Sequence, residues 1–221
     1  MRIPNFSRLA GTRALFAVPL LTFGLMAASS FPDPPAATTG APAAKKAVAI
    51  LAGGCFWGME GVFEHVKGVV DTQVGYSGGS KETAHYEMLH GDKTGHAEAI
   101  KVTYDPAKIS YGQLLKIYFS VAHDPTTLNR QHYDVGTQYR SAIFYGDDEQ
   151  KQTAEAYIHQ LNAAKVFKDP IVTQVVPLKA FYPAEAYHQH YLDGHPDEPY
   201  IAHMDMPLIQ DLKKKYPEMY K

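Results

Sequence analysis

The only cysteine among the 221 residues lies in the stretch GGCFWGMEG, residues 53–61. Apolar side chains at helical spacing follow this cysteine, at Met59, Val62, Phe63 and Val66. The spacing places Cys55 in or just before a first helical turn, where unpaired N–H groups and the helix dipole favour a thiolate. We therefore expect Cys55 to be a nucleophile with a lowered pKa. The alternative is a small buried cysteine that packs as an apolar residue.

Glu98 is the second residue whose position suggests chemistry. In AEAIKVTYDP, residues 97–106, strand alternation places Glu98 on the same face as Ile100 and Val102. A carboxyl on an apolar face is paired, lies at the rim, or has its pKa raised by desolvation. In the last case it stays protonated and can donate a proton to a reacting group. The alternative is a paired carboxylate at a strand end.

Strands and helices alternate along the part of the chain that would position these residues. Strands are predicted at residues 47–51, 69–79, 97–106, 138–145 and 171–178. Helices are predicted after Cys55, after a capping box formed by Ser110 and Gln113, after Asp147 and over residues 204–221. We predict an α+β fold, a two-layer α/β sandwich with a mixed sheet, a ferredoxin-like βαβ core and long loops.

The first 46 residues differ in composition from the rest. Residues 1–30 combine three arginines and no acidic residue with an apolar run at 14–28, which is typical of a signal peptide. This predicts export, with the periplasm as the expected location. The alternatives are an uncleaved leader that tethers the chain to a membrane and an organelle transit peptide. Residues 31–46 are rich in Pro and Ala and predict a disordered linker, followed by one catalytic domain at 47–221.

Composition excludes several classes of partner. The 21 basic and 23 acidic residues give a formal charge of -2, so neither nucleic acid nor anionic lipid is indicated as a partner.

One cysteine excludes an intrachain disulfide. Fifteen tyrosines and ten phenylalanines make an aromatic pocket plausible.

Six stretches resemble, in order along the chain, the peptide methionine-S-sulfoxide reductase family. They are GGCFWGMEG, GYSGG, TGHAEAI, HDPTTLNRQHYDVGTQYRSAIFY, AEAYHQHYL and HPDEPYI. Together they span nearly the whole predicted domain. The resemblance implies reduction of protein-bound methionine S-sulfoxide to methionine, with activity on the free amino acid left open, and a role in repair after oxidative damage.

Carried over by position, the resemblance implies a catalytic set. Cys55 would attack the sulfoxide sulfur, and Glu98 would give a proton to its oxygen, which is a poor leaving group until protonated. Tyr86 and Tyr139 would hydrogen-bond that oxygen. Asp134 would help to shape the site. Oxygen transfer would leave methionine and a sulfenic acid on Cys55.

The resemblance also implies an aromatic substrate pocket. Phe56 and Trp57 would surround the S-methyl group of the substrate. Tyr187, His188 and Tyr191 are further candidates for its lining. The alternative for these three is a helix face with surface polar groups.

The chain departs from many relatives at its C-terminal end, where they carry resolving cysteines and this chain has none. The sulfenic acid must therefore react with an external thiol, either a thioredoxin-like protein, a glutaredoxin-like protein or a small thiol. We expect no metal or other cofactor, and a monomer with no membrane contact once the leader is cleaved. Its partners would be oxidised proteins or peptides and the thiol donor.

Three other functions are compatible with parts of the sequence. A cysteine hydrolase would need a histidine and an amide or acid partner near Cys55. A metal site would use His188, His190, His195 and His203, whose spacing matches no standard zinc pattern. A binding module for methionine-containing peptides would use the aromatic pocket without turnover.

Overall fold

The protein was analysed as a computed structural model, which describes residues 1, 31–35, 46–89, 91 and 93–221. Its strands are β1 (Ala47–Ala52), β2 (Val69–Ser77), β3 (Ala97–Tyr104), β4 (Arg130–Gln131), β5 (Asp134–Val135), β6 (Ala142–Tyr145), β7 (Gln174–Pro177) and β8 (Phe181–Pro183). Its α-helices are α1 (Phe56–Glu64), α2 (Tyr86–Leu89), α3 (Tyr111–Ile117), α4 (Asp148–Ala163), α5 (Tyr191–Gly194) and α6 (Met206–Lys215). Two π-helical turns, Tyr118–Ala122 and Ile201–Asp205, follow α3 and precede α6.

Six strands form one mixed sheet in the order β7-β6-β1-β3-β2-β8. Every neighbouring pair is antiparallel except β6 and β7, which are parallel. The central order β6-β1-β3-β2, with a helix after β1 and another after β3, is the ferredoxin-like arrangement. The predicted α+β class and mixed sheet are therefore confirmed. The strands β4 and β5 pair separately.

The main core lies between the sheet and the helices. Leu51 and Ile100, which are register partners on β1 and β3, are fully buried there against the inner face of α1. Burial of each such side chain stabilises the fold by about 1.5–3 kcal/mol. The other face of the sheet carries a smaller cluster that buries Ala97 and Ala99. Strand alternation predicts these two alanines on the face of β3 opposite Glu98 and Ile100. On that face Val176, Leu178 and Phe181 cover them.

Local sequence signals predicted the helix starts well. The hydroxyl of Ser110 accepts from the Gln113 N–H at 3.1 Å, and the Gln113 side chain accepts from the Ser110 N–H at 2.9 Å, so the capping box is confirmed. Asp147 caps α4 by accepting from the Gln150 N–H at 2.8 Å.

The predicted strand at 138–145 is shorter than expected. Only residues 142–145 pair with β1 and β7, because Thr137–Tyr139 forms a 3-10 turn. The Tyr139 N–H closes this turn by donating to the Gly136 carbonyl at 3.1 Å. Likewise β7 covers only Gln174–Pro177 of the predicted 171–178.

Residues 31–35 depart from the expectation of a disordered linker. The Phe31 ring packs on Phe167 with centroids 6.0 Å apart, and the Tyr157 hydroxyl donates to the Pro32 carbonyl at 2.7 Å. A ring contact and a hydrogen bond thus hold this part of the predicted linker on the domain. Residues 2–30 and 36–45 lie outside the described residues, and the predicted leader stays a prediction. Within the described ranges, no helix is long and apolar enough to cross a membrane.

Candidate active site

Cys55 is the N-cap residue of α1 and joins β1 to that helix, as predicted. The turn before it needs Gly54, whose φ of +94° is a conformation that residues with a side chain rarely adopt. A Cβ at Gly54 would also lie 2.7 Å from the Gln131 side chain. The glycine therefore lets the chain turn sharply at Cys55, which is partly exposed as a residue although neighbouring groups surround its sulfur.

Glu98 lies at this same turn. Its side chain is 3% exposed, and its Oε2 accepts from the Phe56 N–H at 3.1 Å. Burial raises the pKa of Glu98 to about 8; the Phe56 N–H lowers it by less than burial raises it, and Asp134 and Asp205 make smaller contributions that raise it. Glu98 is therefore a protonated acid at neutral pH, and it lies on β3 beside the first turn of the helix that Cys55 caps.

The thiol itself does not follow the sequence-based expectation. We expected the helix N-terminus to lower the pKa of Cys55, but that pKa is raised well above the usual value. Burial is the main cause, and the carboxyls of Glu98 and Asp205 add to it, whereas the Trp57 N–H lowers the pKa less. The helix terminus is thus outweighed by desolvation and nearby acids. The resting site holds a neutral thiol beside a neutral acid.

A pocket of about 230 Å³ opens at Cys55. Its walls are formed by Cys55, Phe56, Trp57, Tyr86, Glu98, Asp134, Tyr139, Glu198 and Tyr200. The structure therefore brings together all five residues that we expected to be catalytic, with both aromatic residues expected around the substrate. These residues come from α1, α2, β3, β5 and the turn before β6.

Tyr86 and Tyr139, two of the three tyrosines in the pocket, stay protonated at neutral pH and can donate hydrogen bonds. Burial and the charge of Glu98 raise the pKa of Tyr86 to about 12, and the same two causes raise the pKa of Tyr139. The backbone N–H of Tyr86 donates to Glu185 at 3.1 Å, which fixes the start of α2. Asp134 accepts a hydrogen bond from the Tyr200 hydroxyl.

Comparison with known proteins agrees with this site. The sequence profile of the family described as peptide methionine sulfoxide reductase matches residues 47–220. This chain belongs to that family. It is therefore an oxidoreductase, and the alternatives of a cysteine hydrolase and a binding module are set aside.

Similar reductases come from several organisms. The peptide methionine sulfoxide reductase MsrA 2 of Mesorhizobium japonicum is 55% identical over 172 residues, covering 78% of this chain and 88% of the relative. The MsrA 2 of Synechocystis sp. is 50% identical over 195 residues, covering 86% and 90%. Reduced Mxr1 from Saccharomyces cerevisiae shares the fold with a TM-score of 0.66 and 35% identity, covering 70% of this chain and 88% of Mxr1. Methionine sulfoxide reductase A of Corynebacterium diphtheriae has a TM-score of 0.61 and 33% identity, covering 76% and 85%.

The aromatic wall of the reductase pocket is a stack of rings. The Trp57 ring lies parallel to Tyr191, with centroids 4.0 Å apart and planes inclined by 13°. Tyr191 stacks in turn on His195, also at 4.0 Å, and its hydroxyl donates to Glu198. Tyr191 thus supports the wall from behind and fixes the orientation of Trp57.

Tyr187 and His188, which we expected to bind substrate, do not line the pocket. The Tyr187 side chain is 59% exposed. His188 is 2% exposed and packs behind the pocket, with its ring centroid 5.1 Å from Phe56 and 4.4 Å from Tyr86. Burial lowers the pKa of His188, so it is a neutral packing partner of the aromatic wall.

Sequence reasoning missed three residues of the site: Glu198, Tyr200 and Asp205. Glu198 and Tyr200 lie within HPDEPYI, which the resemblance included without assigning them a role. Asp205 is 3% exposed, and burial together with Asp134 raises its pKa to about 7. A Cβ added at Gly58 would lie only 2.4 Å from Asp205 Oδ1. The glycine at position 58 therefore permits the Asp205 carboxyl to pack closely against α1.

The histidines considered as metal ligands are placed differently from one another. His188 and His195 lie in the aromatic stack, whereas His190 lies beside Glu60 and Glu64. These last three offer ligand atoms within 4.8 Å of one another. Both carboxyls of the cluster accept hydrogen bonds. The backbone N–H of His190 donates to Glu60 at 2.8 Å, and the Thr72 hydroxyl donates to Glu64 at 3.1 Å.

Proposed function

We propose that this protein reduces the S epimer of methionine sulfoxide in oxidised proteins and peptides, with Cys55 as the nucleophile and Glu98 as the proton donor. One observation carries the proposal. Glu98 is buried, bound to the Phe56 N–H and protonated at neutral pH, directly beside the turn that presents Cys55. A nucleophile and an acid at one pocket are what reduction of a sulfoxide requires.

The first half of the reaction transfers one oxygen atom. The Cys55 sulfur bonds to the sulfoxide sulfur while the Glu98 proton moves to the sulfoxide oxygen. The oxygen then passes to Cys55 and the substrate sulfur becomes a thioether, so the substrate is reduced and Cys55 is oxidised to a sulfenic acid. The proton lost by the thiol restores Glu98. Because the pKa of Cys55 is raised, the thiol must lose its proton during the reaction, and we propose that it does so with the substrate bound.

The pocket walls suit this substrate. Phe56 and Trp57 offer an apolar surface to the S-methyl group, and the Trp57 plane is held by its stack on Tyr191. Tyr86 and Tyr139 stay protonated and can donate to the sulfoxide oxygen as charge develops there.

The second half of the reaction needs a thiol from outside the chain, because Cys55 is its only cysteine. Attack of that thiol on the sulfenic acid forms a mixed disulfide and releases water, and a further thiol then frees Cys55. We propose a thioredoxin-like protein, a glutaredoxin-like protein or a small thiol as the donor. The predicted leader suggests that this repair takes place after export, with residues 47–221 as the catalytic domain.

The experiment is an assay with separate S and R sulfoxide epimers of an N-acetylated methionine peptide, with dithiothreitol as the reductant. We expect turnover of the S epimer alone. Replacement Cys55→Ser should lower the rate by about 1,000-fold or more, because serine is a far weaker nucleophile. Asp211→Asn on the exposed side of α6 serves as the control that leaves the rate unchanged. Turnover of the R epimer, or activity in Cys55→Ser, would overturn the proposal.

A further inference from the structure

A second cavity meets the substrate pocket at Cys55. It is a cleft of about 30 Å³ whose walls include Gly53, Gly54, His132, Met204, Asp205 and Leu208. Cys55, Asp134 and Tyr200 line both cavities and separate them. Glu98, Tyr86 and Tyr139 line only the substrate pocket, so the proton donors for the sulfoxide oxygen all lie on one side of the thiol.

Asp205 is the acidic residue that lines the cleft but not the substrate pocket. Its Oδ2 is buried and has no hydrogen-bond partner among the described residues. A buried carboxyl oxygen without a partner costs about 1–3 kcal/mol or more, so its retention needs another reason. Its Oδ1 is held against α1 at Gly58. The carboxyl is therefore fixed in place with one oxygen left available.

The geometry of thiol attack distinguishes the two cavities. Displacement at sulfur places the incoming thiol sulfur, the attacked sulfur and the leaving oxygen nearly in line. After the first half-reaction, the oxygen on Cys55 lies on the side of Glu98, where the sulfoxide was bound. The incoming thiol must then approach Cys55 from a side that the oxygen does not occupy, and the cleft that contains Asp205 offers such an approach because Glu98, Tyr86 and Tyr139 do not line it.

We propose that Asp205 is the general base of the regeneration step, in which it takes the proton of the external thiol. The thiol sulfur bonds to the Cys55 sulfur, the S–O bond of the sulfenic acid breaks, and the oxygen leaves as water with a proton from Glu98. The external thiol is oxidised to a mixed disulfide, and Cys55 is reduced from the sulfenic acid. This inference rests on the proposed function.

Two further observations support this role. The raised pKa of Asp205, about 7, suits a base that accepts a thiol proton near neutral pH. The cleft also adjoins a wider groove of about 1230 Å³, since His123, His132 and Leu208 line both. A thiol sulfur that enters from this groove would reach Cys55 without passing through the substrate pocket.

The test measures the two half-reactions separately in Asp205→Asn. The first is single-turnover reduction of the S sulfoxide without thiol, read as methionine formed per enzyme. We expect it to be unchanged or up to about three-fold faster, because loss of the carboxylate charge favours the Cys55 thiolate. The second is the reaction of the isolated sulfenic acid with 2-mercaptoethanol, which we expect to slow by about 10- to 100-fold.

The acidity of the thiol supplies a second readout that a merely structural role would not change. A more acidic thiol, such as 2,2,2-trifluoroethanethiol, needs less help from a base, so Asp205→Asn should slow its reaction less than that of 2-mercaptoethanol. Asp205→Glu should recover part of the rate. Asp211→Asn, which removes an exposed carboxylate paired with Lys215 at 2.9 Å, is the matched control and should change neither half-reaction.

Three outcomes would overturn the inference. They are an unchanged regeneration rate in Asp205→Asn, a first half-reaction slowed as much as regeneration, and equal slowing for thiols of different acidity. Failure of the proposed function is distinguishable, because it appears as single-turnover reduction of the S sulfoxide by Cys55→Ser, or as no such reduction by the wild type, whatever the result for Asp205→Asn.

Discussion

Two groups of polar side chains contact the Gly53-Gly54-Cys55 turn and adjoin at His123, which lines the cleft, but they differ in how completely they are hydrogen-bonded. One is the substrate pocket with its adjoining cleft. The other, which we call the His123 network, consists of His123, Tyr118, Ser141 and Thr173. The ring of His123 packs against Gly53 and Phe119, so both groups contact the same backbone turn.

The His123 network is fully hydrogen-bonded. His123 Nδ1 lies 2.9 Å from the Tyr118 carbonyl, which only accepts, so Nδ1 carries the proton. Burial lowers the pKa of His123 to about 4, so its Nε2 is free to accept from the Ser141 hydroxyl at 2.7 Å. The Tyr118 hydroxyl donates to the Ala52 carbonyl at 2.8 Å, just before the turn.

The pocket and cleft differ in having unsatisfied atoms. The buried atoms without a hydrogen-bond partner among the described residues include Trp57 Nε1, Glu198 Oε2 and Asp205 Oδ2. Buried groups that are fully paired stabilise a fold, whereas unpaired ones destabilise it. The contrast teaches that the network holds the turn rigid while the pocket keeps its polar groups available for substrate and thiol.

Among the substitutions that test this comparison, Glu98→Gln should have the largest effect, and that effect is on kcat. Glutamine keeps the shape of the side chain but has no acidic proton, so we expect kcat for the S sulfoxide to fall by about 100- to 10,000-fold at pH 7. In the wild type, kcat should also fall as pH rises above about 8, where Glu98 loses its proton. A rate within ten-fold of wild type would contradict the role of Glu98.

The same variant should be more stable than the wild type at high pH. The pKa of Glu98 is raised in the folded state, so folding binds a proton between pH 4.5 and about 8, and stability is lost as pH rises through that window. Removing the carboxyl should raise the unfolding free energy at pH 9 by about 5 kcal/mol relative to its effect at pH 4, since each unit of pKa shift corresponds to about 1.4 kcal/mol. Urea denaturation at both pH values measures this, and equal effects would contradict it.

In the His123 network, Tyr118→Phe should lower the stability of the fold and leave kcat nearly unchanged. It removes the hydrogen bond to Ala52, and we expect the unfolding free energy to fall by about 1–3 kcal/mol because the carbonyl is left unpaired. The kcat of the folded enzyme should stay within two-fold of wild type. Tyr145→Phe, at a half-buried tyrosine outside the network, is the control for loss of a phenol. A large loss of kcat in Tyr118→Phe would show that the network acts in the chemistry.

The pH dependence of stability sharpens the comparison further. His123 has a lowered pKa in the folded state, so the unfolded chain binds the extra proton between pH 6.5 and about 4. Its contribution to stability is therefore lost as pH falls through that window, by about 1 kcal/mol per pH unit. Denaturation of the wild type and of His123→Asn between pH 4 and 7 should show a steeper decline in the wild type.

The smallest effect is expected at Tyr187. Its exposed side chain lies outside the pocket, so Tyr187→Ala should change kcat/KM by no more than about two-fold. A ten-fold rise in KM for a peptide sulfoxide would instead place Tyr187 in a longer binding surface.

The sequence predicted most of what local pattern controls. Helical spacing after Cys55 located the start of α1, and alternation along β3 placed Glu98 on the buried face. The C-terminal part of the site was not predictable in this way, because Glu198 and Tyr200 precede a short π-helical turn and Asp205 ends it, and no repeating apolar pattern marks these positions. Their contact with Cys55 depends on how α6 returns to α1.

The direction of the Cys55 pKa shift is a second property of the site that the sequence did not predict. The sequence places the thiol at a helix N-terminus, and that effect alone lowers a thiol pKa. Burial and the convergence of carboxyls from distant segments raise it instead. Such convergence is a tertiary effect that no stretch of residues around position 55 contains.

The most direct test is the intact mass of the wild-type enzyme after one turnover with the S sulfoxide in the absence of thiol. We predict a gain of one oxygen atom, located on Cys55 by peptide mapping and by trapping with a sulfenic-acid reagent. Methionine formation in equal amount with no gain in enzyme mass would contradict the account.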